Sequence, residues 1–225
     1  MPGLQVSWRT VYVVEYIGPI FVHLAIMALR PHIYGKRGNL DLTPTQWLAF
    51  AMVAVHFLKR EYETLFVHQF SANSMPIFNL FLNSGHYWGL SGLIAALDIY
   101  APFSGAARTP TPGVLEILGT AIFVFGEISN LIVHIHLSSL RRPGSTERAV
   151  PYGYGFGIVT CPNYMFEIIA WVGAILATRS WGFAIYLAAG IWYMEAWARG
   201  KEAAYRREFP DTYKKKRYGV IPGLM

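Results

Sequence analysis

The chain has 225 residues, of which 54% are hydrophobic and 16% aromatic, while only 14% are charged. A soluble domain carries about a quarter charged residues, so this composition excludes an ordinary water-soluble globule and indicates a polytopic membrane protein. The formal charge of +6 collects at helix ends and in the C-terminal segment, which reads as membrane orientation and phosphate binding; no basic face is free of lipid-facing helices, so nucleic acid is excluded as a partner. The single cysteine, Cys161, rules out an internal disulfide. Residues 1–9 are too short and polar for a signal peptide, and the apolar stretch after them is long enough to span.

The first span is predicted over 11–29, with Glu15 inside it and Pro19 as a kink. A Pro-, Gly- and base-rich loop over 30–42 follows. Thr43-Pro44-Thr45-Gln46 then opens a helix running from about Gln46 to His68, with Pro44 early, where its missing N–H costs nothing. Its first half, AFAMVAVHFL, is membrane-like; its second, KREYETLFVHQF, is amphipathic. Lys59 and Glu63 stand four apart and share a face; exposed, such a pair contributes only a few tenths of a kcal/mol. A third span over 77–97 is interrupted at Asn83-Ser84-Gly85-His86, and 102–113 is a turn-rich loop.

The fourth span, 114–137, is the most polar. Glu127, Asn130 and His134 fall at i, i+3 and i+7, one stripe down a helix. A lone intramembrane histidine is usually a satisfied core residue, but three polar groups on one stripe argue for a lined cavity. The stretch 130–167 then carries the chain out of the membrane, through a basic loop with Arg141, Arg142 and Arg148, and back into an apolar helix opened by Asn163, Tyr164 and Glu167. Guanidinium groups just outside lipid can fork onto phosphate oxygens, or can serve only to set topology. Asn163 and Glu167, four apart, share a face. The glycines at 153, 155 and 157 lack the G-x-G-x-x-G spacing and a preceding strand, so a nucleotide fold is rejected. HExxH, CxxC, P-loop and nucleophile-elbow patterns are absent, which leaves metal and hydrolase chemistry without a motif.

A fifth span over 164–177 and a sixth over 181–198 are joined by a tight Arg179-Ser180 turn, and a basic tail occupies 199–225. Six spans place both termini on one side. That side holds 14 Lys and Arg and the other 5, which puts the termini and the central basic loop in the cytosol, although the loop containing Arg30, Lys36 and Arg37 runs against this.

The segments WRTVYVVEYIGP (8–19), KREYETLFVHQFS (59–71), MP (75–76), LRRPGS (140–145), CPNYMFE (161–167) and WARGKEAAY (197–205) together carry a resemblance over nearly the whole chain. It resembles the very-long-chain trans-2-enoyl-CoA reductases of the steroid 5α-reductase family. The resemblance implies an all-α fold, a polytopic bundle of about six to seven transmembrane helices, with one reductase domain over 1–225 and without the ubiquitin-like N-terminal domain that this branch usually carries. It implies NADPH-dependent reduction of the 2,3-double bond of a long-chain enoyl-CoA, the last step of fatty-acid elongation, in the endoplasmic reticulum membrane with the active-site loops facing the cytosol. The lipid bilayer and other elongation enzymes are the implied partners. Asn130, His134, Arg141, Arg148, Asn163, Glu167, Lys201 and Tyr205 match cofactor-binding positions, with His134 and Lys201 departing from the aspartate and histidine of the steroid branch. Tyr164, Lys59 and Glu63 are the implied catalytic residues. Phe57 stands near where the steroid branch has its carbonyl-anchoring tyrosine. A neutral tyrosine can protonate or hydrogen-bond the enolate formed when hydride reaches C3, with Lys59 stabilising the charge and Glu63 holding the lysine; which group protonates C2 stays open. Three alternatives are a sterol or steroid double-bond reductase of the same family, an inactive scaffold, and an isoprenylcysteine-type methyltransferase, which would require an Arg-His-Pro lead-in where this chain has Thr160-Cys161-Pro162.

Overall fold

A computed structural model of the chain describes residues 4–70, 73–141, 149–216 and 218–224. The Ser7 hydroxyl accepts the Thr10 N–H at 3.0 Å and starts α1 (Trp8–Tyr34). This helix continues through both Pro19 and Pro31, so Pro19 does not end the rod. α2 (Pro44–Tyr62) opens on a capping box: Thr43 and Gln46 each satisfy the other's backbone N–H, with Pro44 at the first helical position. Beyond Tyr62 the same rod widens into a π-helical turn, Glu63–Val67, which leads to His68.

The interruption expected at Asn83 to His86 is absent. Those residues are helical in α3 (Phe78–His86), and the irregularity is a π-helical stretch, Tyr87–Ile94, that follows and runs into α4 (Ala95–Ile99). Trp88 of that stretch occupies the space a Cβ on Gly18 of α1 would need and donates its indole N–H to the Val14 carbonyl at 3.1 Å, so the widened turns seat a large ring against the neighbouring helix. α5 (Val114–Ser139), α6 (Pro162–Thr178) and α7 (Trp181–Glu208) complete the bundle. Among the described residues these make six helical rods, counting α3, the π stretch and α4 as one. Two are by themselves long and apolar enough to cross a membrane: Trp8–Asn39, with mean hydropathy 1.7, and Val114–Ser139, with 1.6. A short antiparallel pairing of β1 (Gln5–Ser7) with β2 (Ser74–Pro76), not foreseen in an all-α reading, ties the start of α1 to the start of α3.

The tightest helix pair is α5 against α6. A Cβ on Gly126 would fall 2.5 Å from the Ala170 nitrogen, and one on Gly173 would fall 2.4 Å from the Phe123 nitrogen. Small residues let the two backbones touch, as they do where helices associate in lipid. One turn further on, that contact brings the Asn130 side chain to the Asn163 carbonyl.

Two of the five basic residues on the side away from the tail have internal partners. Arg30 is buried and donates to the backbone oxygens of Tyr100 and Leu40. Arg179 caps α6 in the left-handed conformation, φ 53°, and pairs with Glu116 at 2.7 Å. Their placement is a matter of packing, which explains part of what ran against the charge asymmetry. At the other end, α7 continues past the expected limit of the sixth span to Glu208, and the tail then folds back: Thr160 N–H and Cys161 N–H donate to the carbonyls of Tyr218 and Gly219 at 3.1 and 3.0 Å. The start of α6 is thereby held by the last residues of the chain.

Candidate active site

Two polar stripes meet inside the bundle. On α5 they are Glu127, Asn130 and His134, all buried as the spacing predicted. The facing stripe on α2 and its π turn is His56, Lys59 or Arg60, and Glu63, which repeats the same helical step. Lys59 donates to Asn130 Oδ1 at 2.6 Å and pairs with Glu127 Oε2 at 2.6 Å, whereas Glu63, the partner expected from the four-residue step, lies at 3.8 Å. The Lys59 side chain is 10% exposed and that of Glu127 6%, so this is a desolvated pair rather than an interfacial one. His56 sits between two acids, 2.7 Å from Glu127 and 3.3 Å from Glu167.

Glu63 belongs to a second group. Its fully buried carboxylate accepts from Arg60 at 2.6 Å and lies 3.0 Å from His134 Nδ1. Arg60 also donates to the Tyr16 hydroxyl at 2.9 Å and covers the Tyr16 ring. His134 faces Asn163 on its other nitrogen, at 3.4 Å. Glu63, His68 and His134 bring three potential metal-ligand atoms within 4.8 Å of one another, a cluster that no sequence motif announces. Arg60 already supplies a cation to two of the three, so the cluster reads as an ion-pair hub.

The two groups join at the head of α6. Asn130 donates through Nδ2 to the Asn163 carbonyl at 2.8 Å and to Glu167 at 3.2 Å, and Trp171 contacts the other Glu167 oxygen at 3.4 Å. The backbone that carries Tyr164 is thus fixed by the α5 stripe from inside and by the folded-back tail from outside. Tyr164 packs against Trp197, with centroids 6.2 Å apart, and under Lys201, whose Nζ is 4.6 Å from the ring centroid. Tyr205, on the next turn of α7, packs at a tilt against Tyr213 with centroids 5.3 Å apart. Arg141 leaves α5 and donates to the Gln69 carbonyl at 2.5 Å, which ties the end of α5 to the segment after α2. Arg142 and Arg148 lie outside the described residues.

The structure gathers the α5 stripe, Asn163, Glu167 and Tyr164, which the sequence singled out, together with His56, Arg60 and Tyr16, which it did not. The signal for His56 and Arg60 was present, since residues 56, 60 and 63 repeat the i, i+4, i+7 step. Tyr16 carried none, because only the tertiary fold brings α1 against Arg60. Phe57 is wholly buried and offers no phenol at the position of the steroid branch's anchor. Glu15, read simply as a residue of the first span, is a fully buried acid.

A family model described as 3-oxo-5-alpha-steroid 4-dehydrogenase matches residues 73–225. The chain is 41% identical over 226 aligned residues to a very-long-chain enoyl-CoA reductase of Dictyostelium discoideum, covering 99% of this chain and 72% of the relative. It is 31% identical to a human protein named trans-2,3-enoyl-CoA reductase-like, covering 99% of this chain and 62% of that one. A match over more than half of the sequence, together with identity sustained almost from end to end, makes this chain a member of the 3-oxo-5-alpha-steroid 4-dehydrogenase family, on its enoyl-CoA reductase branch.

Proposed function

We propose that the chain reduces the 2,3-double bond of long-chain trans-2-enoyl-CoA with NADPH, as the last step of acyl-chain elongation, in the endoplasmic reticulum membrane. The observation that carries the reading is the buried polar cluster inside an apolar bundle, running from Lys59 through Asn130 to the Asn163 carbonyl, next to Tyr164. A buried polar network of this size in lipid needs a purpose beyond stability. The names of the relatives supply the substrate class. At this end of the bundle the Arg141 guanidinium and the Asn163 side-chain amide, a cation and an N–H donor, fit an anionic dinucleotide. NADPH, when bound, supplies the hydride.

The residues of this chain orient and protonate. Tyr164 gives a hydrogen bond or a proton to the enolate that forms on the thioester when C3 is reduced. Lys59, Glu127, Asn130 and Glu167 hold the head of α6 in place, and Arg60 and Glu63 hold His134 against Asn163. The acyl chain runs among the apolar spans. A groove of about 720 Å³, lined by Leu48, Ile117, Ala121, Val124 and Phe125, opens beside α5 one turn from Glu127 and provides such a surface. The CoA head stays on the cytosolic side with the basic tail, and the chain forms one reductase unit that works beside other elongation enzymes.

Incubating the detergent-purified chain with a long trans-2-enoyl-CoA and following loss of reduced nicotinamide absorbance tests the reading. Turnover of a 4-ene steroid in its place would favour the steroid reductase alternative, which the family model's name keeps in view and Phe57 opposes. Two further outcomes follow. Arg141→Ala is expected to raise the KM for NADPH by about 10- to 100-fold, the worth of one charge-assisted hydrogen bond, with a smaller effect for NADH. Equal loss with both cofactors would mean that Arg141 serves the loop or the pyrophosphate. A glycosylation acceptor appended after Met225 is expected to stay unmodified in microsomes; its modification would reverse the orientation read from the charge asymmetry.

A further inference from the structure

The lysine that meets Tyr164 is not the one paired with it from the sequence. Lys59 is held by Glu127 and Asn130, both at 2.6 Å, inside the bundle. Lys201 instead lies over Tyr164, its Nζ 4.6 Å from the ring centroid. Trp197, one turn earlier on α7, packs on the same ring, so α7 grips Tyr164 with two residues four apart. This grip exists because α7 runs past the membrane stretch, and the extension is itself pinned: Glu202, next to Lys201, accepts from Thr160 at 2.7 Å and from the Tyr213 hydroxyl.

We infer that Lys201 is the charge partner of Tyr164, its ammonium stabilising the tyrosinate left when the Tyr164 hydroxyl delivers its proton to the substrate. The inference rests on the enoyl-CoA reading above and deepens it. C3 gains a hydride with its electron pair, and the C2=C3 π electrons move onto the thioester as an enolate. C2 then takes the proton of the Tyr164 O–H bond, whose electrons stay on the phenolate. Water reprotonates the phenolate after the saturated acyl-CoA leaves; the acyl chain is reduced and the nicotinamide oxidised. Lys201 touches neither reacting atom, so it is a positioning residue.

The charged and titratable groups facing this pair are few. Tyr12 approaches from α1, with Glu15 behind it; Cys161 lies at the head of α6; Tyr205 and Glu202 stand on α7. Burial alone would lower the Lys201 ammonium, but Tyr164, Cys161 and Tyr205 outweigh it and hold the group above the ordinary lysine range. Lys201 therefore stays cationic through the reaction. The competing role, implied by the family resemblance, is a direct hold on the cofactor.

The test separates the two. In Lys201→Met, kcat for a long trans-2-enoyl-CoA is expected to fall about 10-fold. The alkaline limb of its pH profile is expected to move up, since an opposite charge beside the phenol is lost. Lys201→Arg is expected to restore both. A Met variant with unchanged kcat and limb but a raised KM for NADPH would overturn the inference and assign Lys201 to the cofactor. A second readout needs no turnover: 3-fluorotyrosine placed at 164 and titrated by fluorine NMR. Its midpoint is expected to rise in the Lys201→Met background, and an unmoved midpoint would overturn the pairing. If the wild-type chain fails to reduce any enoyl-CoA, the functional reading falls, while the NMR titration still decides whether Lys201 and Tyr164 are coupled.

Discussion

Tyr164→Phe is expected to lower kcat for a long trans-2-enoyl-CoA by about 10²-fold or more, the usual scale for a lost general acid. Expression and NADPH affinity are expected to stay near wild type. Tyrosines are common at membrane interfaces, where the ring sets depth and the hydroxyl is dispensable. Tyr164 differs in how it is held. Its backbone is fixed by Asn130 on one side and follows a turn bonded to Gly219 on the other, and its ring lies between Trp197 and Lys201. Such restraint on a phenol with a cation over it orients the hydroxyl, and Phe keeps the ring while removing only the acid. A Phe variant within a few-fold of wild type would remove Tyr164 from the chemistry.

The second large effect concerns stability. Lys59→Met is expected to destabilise the protein by about 1 to 3 kcal/mol, because it leaves Glu127 Oε2 and Asn130 Oδ1 buried without their cation, with His56 as the remaining partner of Glu127. Thermal unfolding in detergent measures this as a lowered Tm. Replacing both partners, Lys59→Met with Glu127→Leu, is expected to recover a large part of the loss, since an apolar pair removes the stranded charge. Had Lys59 a direct catalytic role, the single variant would instead keep its Tm and lose kcat. The expected outcomes of the two sets of measurements would assign Lys59 to the integrity of the bundle and Lys201 to the phenol of Tyr164.

Folding constrains the same residues that the chemistry needs. α5 and α6 approach at Gly126 and Gly173 until their backbones touch, and only that approach lets Asn130 reach the Asn163 carbonyl. Enlarging either glycine would push the head of α6 away from the α5 stripe, so packing in the apolar part of the bundle sets the geometry of the polar part.

Much of this was legible in the linear chain. Apolar runs and their caps determine the rods, since helix starts such as Thr43-Pro44-Thr45-Gln46 satisfy their own backbone donors from local residues. The buried stripe on α5 follows from the helical period alone, because lipid tolerates three polar groups only where they face inward together. Identity between partners was another matter. The four-residue step paired Lys59 with Glu63, yet Glu127 and Asn130, some seventy positions away, take the ammonium at 2.6 Å. Local spacing ranks only local partners, whereas a buried cation goes to whichever oxygens the packed helices bring nearest. The same holds for Tyr164: its motif marked the residue, but the lysine above it comes from a helix extension whose position depends on the tail folding back onto Thr160 and Cys161. Periodicity determined which faces are polar; helix packing decided which charges meet.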